Sequence, residues 1–323
     1  MKTRPTYRPI PYLLFMLVSI AIASSLLIPL TAFAANRGIA EHRIPSTIKP
    51  PKHTVSLYEK TISASTLQQQ GCNAATGPMG VVVLDFGEPA YQNGTYGVGL
   101  FPNGTFASDD DIIHAAANFV LGAWNCRTKN TSIIVAIGTS NYNGQLGSDT
   151  SKWSNAGMDW GLLVISVQSY IVNNGYNSQF TAWGADDIEV ASGWATYNET
   201  VNFVNGYNAH SPQTFVDYGD DPGGVNPSPW TAQELWYVAS GATDDVALPE
   251  IYYNADATQD WEPLDQWACA NEGGAMKIIG TMAEYPYGTS NKPGMAFKDM
   301  YNAMGANSCT ANARGQLVYS TNI

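Results

Sequence analysis

Short apolar runs alternate with amphipathic segments along most of this chain. Residues 81–86 form a continuous run rich in β-branched side chains, and residues 132–138 form a second. A strand buried on both faces has this composition because helices cover both sides of a parallel sheet. Segments with helical spacing follow the two runs, at 108–125 and 156–173. The alternation predicts βαβ units and an α/β fold with a parallel sheet.

Seven strands and six helices can be placed by this pattern. The predicted strands cover residues 81–86, 132–138, 180–189, 214–218, 247–253, 277–284 and 316–320. The predicted helices cover residues 108–125, 156–173, 196–208, 232–240, 258–270 and 293–304. An open doubly wound sheet and a closed barrel both fit this order. Because no Gly-x-Gly-x-x-Gly follows the first strand and the loops after strands are long and aromatic, we expect a TIM-like (β/α)8 barrel. Its eighth strand is degenerate, missing or hidden in 54–58 or 186–197.

The amino-terminal residues stand outside this pattern. Three basic residues precede an almost uninterrupted apolar run from Leu13 to Leu30, and Ala32-Phe33-Ala34 follows it. A basic start, an apolar core and a small-residue site make up a secretory signal peptide. We therefore expect a signal peptide over residues 1–34 and a secreted, extracellular protein. An uncleaved anchor is the alternative, since about 18 apolar residues approach a bilayer span.

The remaining chain divides into an arm and one domain. Residues 35–70 carry Pro45, Pro50 and Pro51 and little periodicity, which predicts a linker or an arm lying on the domain. Residues 71–323 hold the alternating units. They predict a single barrel domain, of a size that one hydrophobic core can support.

Charge and motif content narrow the possible partners. The chain has 27 acidic and 15 basic residues, a net charge of −12, and removal of the three basic residues of the signal peptide would make it −15. An acidic surface repels nucleic acid and anionic membranes. We expect a polysaccharide or cell-wall glycan as partner, no nucleic acid, no stable membrane insertion after signal cleavage, and a monomer. Neither a phosphate-binding loop nor histidines or cysteines at metal-ligand spacing occur, so no cofactor and no metal is predicted.

The chain contains four cysteines, Cys72, Cys126, Cys269 and Cys309. An even number in an exported chain favours disulfides, and four cysteines allow three pairings. We expect Cys72 to pair with Cys126 and Cys269 with Cys309, because these partners are nearest in sequence.

The stretch 180–189 combines aromatic, small and acidic residues in one predicted strand. Side chains of an extended chain alternate between two faces. One face of the strand therefore carries Trp183, Ala185, Asp187 and Glu189. The opposite face carries Gly184, Asp186 and Ile188. Two carboxylates and an indole on one face suit a sugar-binding site better than a hydrophobic core.

Several carboxylates lie near the ends of predicted strands, where a barrel would bring them to one pocket. The candidate catalytic residues are Asp85, Asp187, Glu189, Asp217, Glu250 and Glu284. Glycoside hydrolysis needs an acid of raised pKa and a second carboxylate or equivalent group across the scissile bond. Clustered acids in a partly dry pocket acquire that raised pKa through desolvation and mutual repulsion.

The segment Asp187-Ile188-Glu189 resembles the Asp-x-Glu signature of chitinase-type and lysozyme-type barrel hydrolases. The resemblance implies a glycoside hydrolase with Glu189 as general acid, Asp187 as its partner and Asp85 as an auxiliary carboxylate. Residues 282–285 loosely resemble a segment that follows a later chitinase strand. The fuller chitinase motif has aspartates where this chain has Ala182 and Ala185, and both families carry the motif on the fourth strand, not the third.

Aromatic side chains near the predicted strand ends give a second indication of sugar binding. Flat aromatic rings stack on the C–H faces of sugars. We expect Trp183, Trp230, Tyr142 and Tyr253 to contact substrate.

The sequence therefore predicts a secreted glycoside hydrolase, with a non-catalytic carbohydrate-binding barrel or a structural exported domain as alternatives. A serine hydrolase is disfavoured because the chain has no Gly-x-Ser-x-Gly elbow. Asp217, Asp220 and Asp221 leave open a calcium loop, although a Pro-Gly turn explains the same sequence.

Overall fold

The computed structural model describes residues 48–142, 145–221, 223–287 and 290–323. The expected signal peptide, residues 1–34, and the first part of the expected arm lie outside the described residues. Among those that are described, no helix has the length and apolarity needed to cross a membrane.

Parallel strands form a ring. They are β1 (Thr54–Val55), β2 (Leu57–Tyr58), β3 (Gly80–Asp85), β7 (Ile133–Ser140), β8 (Phe180–Asp187), β9 (Phe215–Asp217), β10 (Asp245–Ala247), β11 (Gly280–Ala283) and β12 (Tyr319–Asn322), with β4, β5 and β6 in an insertion after β3. Hydrogen-bonded pairing runs from β2 through β3, β7, β8 and β9 to β10, and from β11 through β12 to β1. The parallel bridges Ala247–Ile278 and Glu250–Met282 join β10 to β11. Because β1 and β2 belong to one segment, 54–58, the ring returns to its start. The fold is the expected (β/α)8 barrel.

Helices cover the outside of the ring. They are α1 (Ala64–Thr76), α2 (Asp109–Cys126), α3 (Thr150–Asn173), α4 (Tyr197–His210), α5 (Ala232–Trp236), α6 (Glu262–Asn271), α7 (Pro293–Ala303) and α8 (Ser308–Ala313). One-turn π-helical segments extend α5 at Tyr237–Gly241 and precede α6 at Asp256–Trp261. Ser108 and Thr231 cap α2 and α5 through capping boxes. In each box the cap hydroxyl accepts from a backbone N–H of the first turn, and the acidic side chain of that same residue accepts from the backbone N–H of the cap residue.

The one strand that the sequence pattern did not place is the segment 54–58, which is the first strand of the ring along the chain. The barrel therefore begins inside residues 35–70, which the sequence pattern assigned to an arm. Polar side chains, not an apolar run, hold this strand: the Ser56 hydroxyl bonds the Thr321 hydroxyl at 2.8 Å and accepts from the backbone N–H of Val83 at 2.9 Å. A strand of two short pieces stabilised in this way has no apolar periodicity, so the sequence offered 54–58 only as one of two places where the eighth strand could be hidden.

The loop expected after the first predicted strand is instead a small antiparallel sheet. It contains β4 (Glu88–Gln92), β5 (Thr95–Leu100) and β6 (Thr105–Ser108). Asn93 and Gly94 turn β4 into β5 with positive φ angles of 53° and 88°. Asn-Gly is the residue pair that a tight hairpin turn prefers, so the signal for this sheet was present in the sequence.

Side-chain alternation divides the core into two layers. Apolar residues that fill the barrel interior are Val81, Val83, Ala136, Ala185, Val216, Tyr218, Leu248 and Met282, with Trp183 packed against them. Residues of the opposite parity, including Ala182 and Ile188, belong to the larger core between strands and helices. The two faces expected for residues 183–189 are thus confirmed.

Both expected disulfides are confirmed. Cys72 pairs with Cys126 and joins α1 to α2, while Cys269 pairs with Cys309 and joins α6 to α8. Beside the first disulfide, α1 and α2 approach so closely that only glycine fits at two contact points. A Cβ on Gly71 would lie 1.9 Å from the Phe119 carbonyl oxygen, and one on Gly122 would lie 2.0 Å from the Gln68 carbonyl oxygen.

We predict that Gly122→Ala destabilises the protein by about 2 kcal/mol or more, because α1 and its backbone must move away from α2. In an ordinary helix interior, the same change stabilises by roughly 1 kcal/mol. Urea unfolding monitored by circular dichroism measures the difference. Gly274→Ala is the matched control, since a Cβ there meets nothing within 4 Å. A Gly122→Ala variant as stable as the control would contradict the close helix contact.

Candidate active site

Three carboxylates converge at the carboxyl ends of the barrel strands. Asp187 is the last residue of β8, Glu189 lies two residues beyond it, and Glu250 lies three residues beyond β10. One oxygen of each carboxylate lies within 4.8 Å of the others. Among the described residues, no other three histidine, cysteine or acidic side chains come this close. We call Asp187, Glu189 and Glu250 the carboxylate cluster.

Strand order and register explain this convergence. Counting from the segment 54–58, β8 is the fourth strand of the ring, so the Asp-x-Glu segment occupies the strand on which the chitinase-type and lysozyme-type barrels carry it. Asp187 and Glu189 follow Trp183 and Ala185 on the inward parity of β8. Glu250 follows Leu248, an inward residue, in the same manner.

The main chain of Glu189 is held from both sides by Asn141, which is fully buried. The backbone N–H of Glu189 donates to the Asn141 side-chain oxygen at 3.0 Å, and the Asn141 amide donates to the Glu189 carbonyl oxygen at 3.1 Å. The same amide donates to the Thr200 hydroxyl at 3.1 Å. These bonds fix where Glu189 leaves the strand. Asn141 was not predicted as a site residue, because an asparagine three residues after a predicted strand has no distinctive spacing.

Asp85 lies one layer below the cluster. It is level with Gly138 and Ala185 in the strand register, whereas Asp187 is level with Ser140. Asp85 is fully buried and accepts the Gly87 N–H at 2.8 Å. Burial raises its pKa to about 7, against the hydrogen bond from the Gly87 N–H, which lowers it.

A tyrosine crosses the barrel at this level. The hydroxyl of Tyr218 donates to the Thr139 carbonyl oxygen at 2.8 Å. It passes Gly138, where a Cβ would lie 2.8 Å from the Tyr218 hydroxyl oxygen. The small residue at 138 therefore makes room for the ring beneath the cluster.

Two other candidates lie apart from the cluster. Asp217 has the opposite parity from Val216 and Tyr218, which face the barrel interior, so its side chain points towards the helix layer. It is level with Asp186 of β8 and is not a member of the carboxylate cluster. Its placement outside the pocket corrects the expectation that all strand-end acids converge, because a shift of one residue reverses the face. Glu284 follows β11 and is half-buried, near enough to raise the pKa of Glu250.

Burial and mutual repulsion hold protons on the cluster. The pKa of Asp187 is raised well above its ordinary value by desolvation and then by the charges of Glu250 and Glu189. Desolvation likewise raises the pKa of Glu250, although a hydrogen bond from the Tyr252 hydroxyl acts in the opposite direction. Burial raises the pKa of Glu189, the most accessible of the three, to about 7. A carboxylic acid that keeps its proton at neutral pH can donate it.

The cluster opens into a cavity of about 390 Å³. The cavity is lined by Tyr58, Glu88, Phe101, Ser140, Tyr142, Asp187, Glu189 and Trp194. Tyr142 and Trp194 meet edge to face with ring centroids 5.6 Å apart, and Tyr58 and Phe101 do so at 5.3 Å. Two aromatic pairs thus line the cavity together with the two acids.

Of the four aromatics expected to bind substrate, only Tyr142 lines this cavity. Trp183 lies four residues before Asp187 and packs against the barrel interior, about 13 Å lower along the strand. Trp230 is 6% exposed and packs against Tyr197 in the outer core. Tyr253 is 49% exposed and lies outside the lining of this cavity.

Sequence reasoning missed Tyr58, Glu88 and Phe101 as cavity residues. Tyr58 ends the strand that had no apolar pattern. Glu88 and Phe101 belong to the antiparallel insertion, which was expected to be a loop. The Asn-Gly turn could have located the insertion, but nothing in the sequence places it against the cluster.

A second group of buried acids lies on the outward face. Asp186, Asp217 and Asp221 are at most 1% exposed, and each has a side-chain oxygen without a hydrogen-bond partner among the described residues. Desolvation, and then the Asp217 charge, raises the pKa of Asp186, while desolvation raises that of Asp217 to about 7. The calcium loop left open by the sequence falls here, yet Asp217, Asp220 and Asp221 do not converge as the cluster does.

Comparisons with known proteins add little to this geometry. No family model and no curated protein matches the chain. A sugar phosphate isomerase/epimerase from Parabacteroides distasonis aligns with a TM-score of 0.39 and 10% identity, over 84% of this chain and 96% of that one. An endo-1,4-β-mannanase from Rhizomucor miehei aligns with a TM-score of 0.36 and 12% identity, over 86% and 87%. At these values the likenesses carry no information about the activity of this chain.

We predict that Asp217→Asn flattens the dependence of stability on pH. An acid whose folded pKa is raised from 3.8 to about 7 stabilises the fold below pH 4, and this contribution is lost as pH rises towards 7 and beyond. The difference corresponds to about 4 kcal/mol between pH 4 and pH 8. Urea unfolding at both pH values measures it. The exposed Asp244→Asn is the control, and an equal pH dependence in both variants would contradict the buried acid.

Proposed function

We propose that this protein is a carbohydrate-active enzyme that hydrolyses glycosidic bonds with the carboxylate cluster. The observation that carries the proposal is the convergence of Asp187, Glu189 and Glu250 within 4.8 Å, two of which, Asp187 and Glu189, line a cavity together with aromatic side chains. Acid and base carboxylates placed together are what glycosidic hydrolysis requires. The resemblance of residues 187–189 to the Asp-x-Glu signature agrees with this assignment.

Glu189 is the proton donor in this proposal. Its pKa of about 7 keeps much of this side chain protonated at neutral pH, and it is the most exposed member of the cluster. Carboxylates this near one another titrate as one coupled group, so the first to ionise keeps the others protonated. The cluster thus offers a proton and a negative charge together. Asp187 and Glu250 are the candidates for the charge that stabilises the cationic transition state.

The cavity walls support a sugar as the substrate. The pair Tyr142 and Trp194 and the pair Tyr58 and Phe101 line the same cavity as Asp187 and Glu189. Sugar rings stack on such surfaces while their hydroxyls bond to polar groups. A volume of about 390 Å³ suits one or two sugar units of a longer chain.

Export is part of the proposal. The expected signal peptide, the two disulfides and the acidic composition agree with an extracellular enzyme that meets a polysaccharide or cell-wall glycan.

We predict that the protein without residues 1–34 releases reducing sugar from at least one of chitin, peptidoglycan and β-glucans. Glu189→Gln should lower the rate by about 100-fold or more, because the amide cannot donate the proton at the leaving oxygen. Glu284→Gln, outside the cluster, serves as the control and should keep most of the rate.

Full activity in Glu189→Gln would contradict the assigned donor and point to Glu250. Binding to a glycan without release, by a folded protein, would favour a non-catalytic carbohydrate-binding barrel.

We predict that hydrolysis retains the anomeric configuration. Inverting enzymes separate their two carboxylates by roughly 6.5–9.5 Å to admit a water, whereas retaining enzymes hold them about 5 Å apart. The nearest carboxylate oxygens of the cluster lie within 4.8 Å of one another, which agrees with the shorter separation of retaining enzymes. Proton NMR of the freshly formed product identifies the anomer. An inverted product would mean that Glu189 works with a more distant carboxylate outside the cluster.

A further inference from the structure

The carboxylate cluster has the geometry of a cation site as well as that of an acid/base pair. Its three oxygens come from the end of β8, from Glu189 just beyond it and from the loop after β10, and lie within 4.8 Å of one another. Calcium binds oxygen ligands at about 2.3–2.6 Å, so two ligands of one ion lie at most about 5 Å apart. Magnesium demands a near-ideal octahedron and usually keeps several waters, so three side chains in a flexible arrangement suit calcium better.

A second, independent feature points to a ligand at this place. Asp187 is 9% exposed, and its Oδ1 atom has no hydrogen-bond partner among the described residues. Glu250 is 2% exposed. The charges that most raise the pKa values of these two side chains belong to other carboxylates: Glu250, Glu189 and Asp85 for Asp187, and Asp220, Glu189 and Glu284 for Glu250.

Buried carboxylates without a counter-charge are unfavourable unless a proton or a cation neutralises them. The cluster has no histidine or cysteine among its members, so its donors are hard oxygens, which suit calcium better than zinc or copper. The cavity above Asp187 and Glu189 supplies an entry path and room for water ligands.

We propose that the carboxylate cluster binds one calcium ion, held by Asp187, Glu189 and Glu250 with water from the cavity. A carboxylate that coordinates calcium cannot hold the proton needed at the leaving oxygen. Calcium therefore acts as a reversible inhibitor of the same site. The inhibition rests on the proposed hydrolase function, whereas the binding does not.

Terbium luminescence tests the binding directly. Tb³⁺ takes calcium sites, and its emission is excited through nearby tyrosine and tryptophan, which Tyr58, Tyr142 and Trp194 provide beside the cluster. We expect wild-type emission that calcium displaces. We expect the affinity for Tb³⁺ to fall by about tenfold or more in Glu250→Gln, because one of the three charged ligands is lost. Glu189→Gln, at a less buried position, should give the same loss and covers the case in which Glu250→Gln fails to fold.

Asp221→Asn is the matched control, because Asp221 is also a buried acid with unpartnered oxygens but lies outside the cluster. It should bind terbium as wild type does. Circular dichroism establishes that each variant is folded. Absence of wild-type emission, unchanged affinity in both cluster variants, or loss only in Asp221→Asn would overturn the site.

Activity distinguishes this proposal from the proposed function. A protein that binds terbium at the cluster but cleaves no glycan contradicts the hydrolase and leaves the cation site supported. A protein that cleaves glycan and binds no terbium overturns the cation site alone. In an active protein, we expect saturating calcium to lower the rate and a chelator to restore it. An unchanged or higher rate with calcium would overturn the inhibition.

Discussion

Closure of the ring depends on one short segment, residues 54–58. Its first part pairs with β12 and its second part with β3, so it joins the last strand of the chain to the second. Hydrogen bonds of Thr54 and Ser56 to neighbouring strands hold it in the barrel wall. Without this segment the sheet would stay open between β12 and β3. Its last residue, Tyr58, also lines the cavity beside Asp187 and Glu189, so the segment completes part of the site.

Once the ring is closed, strand parity decides what each acid can do. Asp187 and Glu250 point into the barrel mouth, while Asp186 and Asp217 point towards the helices. Both groups consist of buried carboxylates with raised pKa values. Asp187 of the inward group lines the cavity, together with Glu189. Burial of like charges raises the pKa values of both groups. On the inward face this supplies carboxylic acids that can donate a proton, and on the outward face it makes the stability of the fold decrease as the pH rises.

The mouth of the barrel is completed by parts that the barrel pattern does not specify. The antiparallel insertion after β3 contributes Glu88 and Phe101 to the cavity lining, and the contacting pair Tyr142 and Trp194 contributes another part of it. Asn141 fixes the backbone of Glu189. Function on this scaffold is set by these attachments, since the strands alone supply only the inward carboxylates.

The sequence by itself determined the α/β class, seven of the eight strands, both disulfides and the two faces of residues 183–189. These follow from local periodicity and spacing, which folding preserves. It also included Asp187, Glu189 and Glu250 among six candidate carboxylates, since strand-end acids are visible in the sequence. Only the tertiary structure decided that Asp217 faces away, that Trp183 lies deep in the barrel and that Tyr58 and Phe101 line the cavity. Strand ends, register and the packing of an insertion depend on contacts between residues far apart in the chain, and local patterns do not encode these contacts.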